Sequence, residues 1–316
     1  MDSYSYRHGH GGLRIMYDGE HGLLHGKGRM RDYLRYMRDM TEGDMKVPWK
    51  VDNPRRVEGV KREIYSGEGE WSWINGGGKI VVDSAETCER LADRGWGDGV
   101  TRVRALAREL RNAVPEAEDI GPMFKFCEEG DEIDVHRLWD GDDNMWYGRD
   151  TGRRPAPRVV KLVAPHGGNC GLDNDELFWI GATTVVLTDL LEKAGYRVRI
   201  TCYNAASHRT PAWENITETL IKESDEHLPM AHIATAMSLA GYFRTVGFRW
   251  TANAPLDPGS SYGRPRYIES DSDTREHAER IGLVDRTTVL VHEVRDREAC
   301  IKEVTRLVKE IESLRQ

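Results

Sequence analysis

The sequence predicts an α/β fold, an open and mostly parallel sheet with flanking helices over residues 158–316, preceded by a mainly helical N-terminal region. Three observations carry this. Val159, Val160, Leu162 and Val163 form a short apolar run rich in β-branched residues, as in a strand covered on both faces. Over residues 173–194, Leu177, Ile180, Thr184, Leu187 and Leu191 recur at helical spacing, with Phe178, Ala182 and Val185 beside them. A stripe this wide suits a helix buried against a sheet. Tyr196, Val198, Ile200 and Cys202 then alternate with Arg197, Arg199 and Thr201, the period of a strand with one face covered. Strand, loop, helix and strand in this order make a right-handed parallel crossover, and strand and helix go on alternating to residue 316.

Taken in order, residues 1–28 are rich in Gly, His and Tyr and lack periodicity, which predicts a flexible, extended arm. His8, His10, His21 and His25 are metal-ligand types, but glycine-flanked histidines in an arm are read as unliganded. Residues 29–147 are predicted to be mainly helical. Met30, Tyr33, Leu34, Met37 and Thr41 mark an amphipathic helix with a basic, solvated outer face. Asn75-Gly76-Gly77-Gly78 predicts a hairpin turn between residues 70–74 and 79–82. Asp83 and Glu86 predict a capping box for a helix ending at Gly95. Val100, Val103, Leu106, Ala107 and Leu110 predict another helix, stopped by Pro115. The acidic stretch 116–143 reads as solvated loop, and residues 148–157, GRDTGRRPAP, as a linker.

In the C-terminal part, Asp173 and Glu176 predict a capping box, with Leu172 and Leu177 as its hydrophobic staple. Gly195 fits the left-handed position after the helix. Residues 213–221 predict a strand. Pro229 opens a helix with the stripe Met230, Ile233, Met237, Ala240 and Phe243, closed by Gly247. Residues 251–285 read as a long polar loop, either a contact loop or disordered. Residues 289–294 predict a strand, and Asp296 caps a final helix carrying Ile301, Val304, Leu307, Val308 and Ile311.

Composition narrows the function classes. The chain has 316 residues and a formal net charge of −8, which disfavours tight non-specific binding to nucleic acid. Its five cysteines are scattered without a C-x-x-C pair, which fits a reducing, cytoplasmic setting and no disulfide framework. No apolar run approaches a membrane span, and the N-terminus lacks a secretory apolar region. The nine Trp and ten Met are read as core and contact surface.

The stretch RVVKLVAPHGGNCGLDNDELFWIGATTVVLTDLLEKAGYRVRITCYNAAS resembles the core of a von Willebrand A-like family of unknown function found in phages, prophages and plasmids. Phe178, Trp179, Gly181, Ala182, Asp189, Leu191, Glu192 and Ala194 to Val198 carry the likeness, together with CERLADRGWGDGVTRVRALARELR and LWDGDDNMW upstream. It covers about residues 80–316. The resemblance implies a host-cytoplasmic or virion-associated protein with a sheet whose first strand would carry a divalent-metal grip.

That grip needs an Asp and two hydroxyls after the first strand, because Mg²⁺ takes hard oxygen ligands. Residues 164–168, Ala-Pro-His-Gly-Gly, offer neither, so the metal site is read as degenerate. The candidate contact loop at the sheet's carboxyl edge is His166, Gly167, Gly168 and Asn169 with Asp173 and Asp175, since that edge is where α/β folds place ligands. His166-Gly167-Gly168 also resembles the first zinc-ligand motif of phage poly-γ-glutamate hydrolases, but Gly171 stands where that motif has Glu. An esterase reading would pair the same loop with Gly259-Ser260-Ser261-Tyr262-Gly263 and with Asp271, Asp273, His277 and His292. Pro258 and Pro265 flank that string, the wrong context for a strand-to-helix nucleophile turn. The expectation is a non-enzymatic protein-interaction or assembly module with protein partners and without catalytic residues, metal, cofactor or membrane contact. Its alternatives are a metal-dependent hydrolase centred on His166 and an RNA-binding protein of the Ro type.

Overall fold

The structure, a computed structural model, describes residues 8–10, 12–18, 23–41, 81–113, 124–127, 132–142, 145–149, 159–166, 172–193, 195–208, 213–244, 246 and 266–313. Along the chain the elements are β1 (His8–His10), β2 (Leu13–Asp18), β3 (Leu23–Arg29), α1 (Met30–Thr41), α2 (Ala85–Arg94), α3 (Gly97–Ala113), β4 (Phe124–Cys127), β5 (Glu132–Ile133), α4 (Val135–Trp139) and β6 (Trp146–Arg149). They continue with β7 (Val159–Pro165), α5 (Asn174–Lys193), β8 (Arg197–His208), β9 (Trp213–Lys222), α6 (Met230–Ser238), α7 (Ser272–Arg280), β10 (Thr288–Leu290) and α8 (Arg297–Ser313).

Seven strands form one open sheet in the order β1-β2-β3-β9-β8-β7-β10. The strands predicted near 158–164, 196–202 and 288–294 are neighbours in it, and β7 is parallel to both β8 and β10. β9 returns antiparallel to β8, and β3 lies parallel to β9. The sheet is therefore mixed, with helices on both faces, and the α/β expectation holds. The predicted crossover is the β7–α5–β8 unit. Asp173 and Glu176 close a reciprocal capping box at its start, Glu176 N–H to Asp173 Oδ1 and Asp173 N–H to Glu176 Oε2, both 2.8 Å. Gly195 ends it at φ +88°. There Gly195 N–H donates to Glu192 O and Tyr196 N–H to Leu191 O, a Schellman closure.

The middle of α5, residues 180–188, is buried all round. One side packs on β7 and β8, and its other sides meet α3, α6 and α8. Gly181 permits the closest approach, because a Cβ there would lie 2.5 Å from Ser238 Oγ on α6. The main core runs from the sheet through α5 to this outer helix layer and takes in Leu13, Ile15, Met30 and Tyr33 from the N-terminal part. A smaller core on the other face joins Met16, Leu23, Val163, Tyr203 and Ile216 to Ile268 and Ala278 of the segment around α7.

Several expectations are corrected. Within the predicted arm 1–28, His8–His10 and Leu13–Asp18 form β1 and β2, and β3 begins at Leu23. The alternation is hidden because both sheet faces are covered, so Leu13 and Ile15 enter one core and Met16 and Leu23 the other. The cap of α2 is Ser84, whose hydroxyl accepts from Thr87 N–H, while Asp83 bonds the Thr87 hydroxyl. The helix predicted from Pro229 to Gly247 breaks at Leu239, which is extended at φ −118°, and helix resumes over residues 240–244. Within the predicted loop 251–285, residues 272–280 are helix α7, capped by Asp271 accepting from Thr274 N–H at 3.0 Å. Residues 148–149 of the predicted linker belong to β6, in a small antiparallel sheet of order β4-β6-β5. The predicted hairpin at 70–82 falls mostly outside the described residues.

Candidate functional site

His166 follows the last residue of β7, and its N–H donates to Tyr203 O of β8 at 2.8 Å. The imidazole is used up inside the protein. Nδ1 lies 3.0 Å from Ala236 O. A carbonyl only accepts, so Nδ1 carries the hydrogen, and Nε2 accepts from the Thr219 hydroxyl at 2.9 Å. The ring centroid is 5.1 Å from that of Phe243. Burial pushes the imidazole down to a pKa of about 4, so it is neutral at pH 7. With both nitrogens bonded, no lone pair faces a metal. A histidine in a contact loop would be open to solvent, whereas His166 is 7% exposed. The physical reason is that β8 runs on to His208 and β9 returns beside it. Thr219 and the helices at 230–244 thereby close over the edge.

Of the rest of the candidate loop, Asp173 and Asp175 are described, and both are engaged elsewhere. Gly167, Gly168 and Asn169 lie outside the described residues. Asp173 is occupied as the cap of α5. Asp175 pairs with Arg102 of α3 at 2.8 Å, an exposed contact of the kind that contributes little. Among the described residues no three His, Cys, Asp or Glu side chains are placed to hold a metal ion.

Polar groups that sequence reasoning missed line the face opposite α5. Glu214, Ile216 and Glu218 alternate on β9, and both glutamates are buried. Lys27 Nζ of β3 lies 2.8 Å from Glu218 Oε1, and His25 Nε2 lies 3.2 Å from Oε2. Burial lowers the pKa of His25, so it donates as a neutral ring and the ion pair is Lys27–Glu218. Burial alone would raise the Glu218 carboxyl, but the His25 hydrogen bond and the Lys27 charge bring it to about 2. Thus His25 is a packed sheet residue and not an arm ligand. Glu214 accepts from Thr274 and His277 of α7, which docks that helix on the sheet.

His292, at the end of β10, is held the same way. Glu303 accepts its N–H at 2.9 Å and lies 3.3 Å from its Nδ1, while Arg306 holds Glu303 at 2.8 Å. Of the residues in the esterase reading, the acids and histidines are described. Ser260 and Ser261 lie outside the described residues, Asp271 is a helix cap, and His277 and His292 are oriented by Glu214 and Glu303 instead. The alternating glutamates of WENITETLIK were the available signal, since a strand polar on both faces cannot lie inside a sheet without buried partners. The sequence did not show which partners.

At the opposite edge, where β3 and β9 end, a cleft is lined by Arg29, Arg31, Asp93 and Glu226. Arg29 pairs with Glu226 and Arg31 with Asp93, both at 2.7 Å.

The described residues present one concentrated apolar surface. Asp134 caps α4, its Oδ1 accepting from His136 and Arg137 N–H at 3.0 and 3.2 Å. Its own N–H donates to Met145 O beside β6 at 2.8 Å. On this support Trp139 is 83% exposed, Val135 55%, Leu138 44% and Ile133 42%. Val135, Leu138 and Trp139 share one helix face by their i, i+3, i+4 spacing. Single exposed apolar residues are ordinary, whereas a contiguous group marks a contact surface. The expectation of a solvated acidic loop at 116–143 is thus corrected over 132–139, which is a strand and a helical turn with an apolar face.

Sheet, helix layers and strand order define an α/β, Rossmann-like protein, and none of its described helices is long and apolar enough to cross a membrane. The chain belongs to the family described as a domain of unknown function, DUF7192, whose family model matches residues 31–312. No curated protein and no solved structure matches it.

Proposed function

We propose that the protein is a non-enzymatic interaction or assembly module, a phage- or mobile-element-encoded relative of von Willebrand A domains with a degenerate metal grip. The observation that carries this reading is the exposed face of α4, where Trp139 stands clear of the fold beside Val135 and Leu138. Aromatic anchors of this kind dominate interfaces, and truncating one commonly costs about 2 kcal/mol or more of binding. The hydrolase reading draws no support from His166, whose ring is bonded on both sides. Nor does the Ro-type reading draw any from the acidic surroundings of α4, which would repel RNA.

The test is affinity capture from the source organism with the wild-type chain and with Trp139→Ala, each first shown to melt at the same temperature. A partner recovered stoichiometrically by the wild type and lost with Trp139→Ala supports the reading. Equal recovery by both removes it.

A further inference from the structure

The interaction reading leaves the chemistry of the partner open, and the charge around α4 bears on it. Between residues 128 and 143 stand Glu128, Glu129, Asp131, Glu132, Asp134, Asp140, Asp142 and Asp143, against the single guanidinium of Arg137. The whole chain has 45 Lys and Arg against 53 Asp and Glu. Without this stretch 44 remain (45 less Arg137) against 45 (53 less eight). The net negative charge of the protein is thus concentrated in the sixteen residues that carry its exposed apolar face.

The carboxylates are not all used locally. Asp134 caps α4 and Asp142 pairs with Arg137 at 2.9 Å, but Glu132 and Asp140, which bracket the apolar face, are exposed and make no ion pair among the described residues. Burying Trp139 under a neutral or acidic partner would strip water from these carboxylates without return. A partner carrying ammonium or guanidinium groups at the flanks of an apolar stripe would compensate both. The same field repels anionic lipid and nucleic acid.

Resting on that reading, we infer that the face formed by Ile133, Val135, Leu138 and Trp139 docks a basic amphipathic helix of a partner protein. The apolar stripe of that helix covers Trp139, and its Lys or Arg side chains meet Glu132 and Asp140. Opposite charge across an interface mainly raises the association rate and selects among partners, so this contact is salt-sensitive.

The probe is a fluorescently labelled helical peptide of Leu and Lys with one apolar stripe, compared with the same peptide carrying Glu in place of Lys. Anisotropy is read with the full chain at low salt and at about 0.5 M salt, where the screening length falls well below 10 Å. The Lys peptide is expected to bind and the Glu peptide not. Binding is expected to weaken at least tenfold with Trp139→Ala, with the double variant Glu132→Lys and Asp140→Lys, and with added salt, while Glu298→Lys on α8 leaves it unchanged. The inference is overturned if the Glu peptide binds as well as the Lys peptide. It is equally overturned if Glu298→Lys weakens binding as much as the double variant, which would mean attraction by overall charge alone. Loss of the captured native partner with Trp139→Ala but no binding of the Lys peptide leaves the interaction reading standing and removes this inference. Capture that survives Trp139→Ala removes the reading itself.

Discussion

His166 and Trp139 reverse the roles that their sequence surroundings give them. His166 stands in a glycine-rich loop at the carboxyl edge of a parallel strand, the place where chemistry is looked for. Its side chain is buried, neutral and bonded at both nitrogens. Trp139 stands in an acidic stretch with no motif that points to chemistry, and its side chain is 83% exposed on a face shared with Val135 and Leu138. The difference teaches that a motif-bearing residue carries function only if its reactive atoms are left open. In His166 the fold consumes them. At Trp139 the fold leaves the surface uncovered, and a surface left uncovered at the cost of exposing apolar area is the better pointer to use.

The comparison breaks first at His166. Replacing it with Ala leaves the Ala236 carbonyl and the Thr219 hydroxyl without their ring partner and opens a cavity under Phe243. Urea unfolding is expected to show a loss of about 3 kcal/mol. This reverses the near-neutral cost that a loop position would have, about 0.5 kcal/mol, and a loss that small would return His166 to the surface.

The same residue gives an acid signature. In the folded chain His166 takes up a proton only near pH 4, against an ordinary value of 6.5. Between these values the unfolded chain binds more protons, so stability rises with pH across the window and is lost as pH falls from 6.5 towards 4. The depressed pKa of His25 acts in the same direction. The His166 contribution amounts to about 3 kcal/mol over the window. Stability measured against pH should fall through it in the wild type and more shallowly in His166→Asn. The carboxylates of Glu218 and Glu303, held near 2, add stability that is lost below about pH 4.5, so the two effects are separable.

Asp173→Ala sharpens the reading of the helix start. Loss of the Glu176 N–H bond should cost about 1 kcal/mol, as for other caps, and millimolar Mg²⁺ should leave the melting temperature of both forms unchanged. A metal-dependent rise that disappears in Asp173→Ala would mean that a cation site has been rebuilt there. The smallest effect on stability is expected at Trp139→Ala, within about 0.5 kcal/mol, because little of that side chain is packed.

Much of the α/β half was legible. α5 shows its stripe, its capping box and its closing glycine in the sequence because every one of those signals is local. α7 was not, because in SDTREHAER only Thr274 and Ala278 are buried and there is no apolar periodicity to read. β3 was missed for a different reason. His25 and Lys27 look like arm residues until Glu218, 191 residues beyond Lys27, stands beside them in the sheet. The exposed face of α4 was half legible. Its composition was plain, but acidic residues hid the spacing of Val135, Leu138 and Trp139, and exposure is a property of the folded chain alone.

The central claim is that the working surface is the α4 face and not the His166 loop. It is tested most directly by capturing partners from the source organism with wild type, Trp139→Ala and His166→Asn side by side, at a temperature where all three remain folded. The account predicts that His166→Asn recovers the wild-type partner despite its lower stability, while Trp139→Ala, as stable as wild type, loses it. Recovery by Trp139→Ala together with loss in a folded His166→Asn would contradict it.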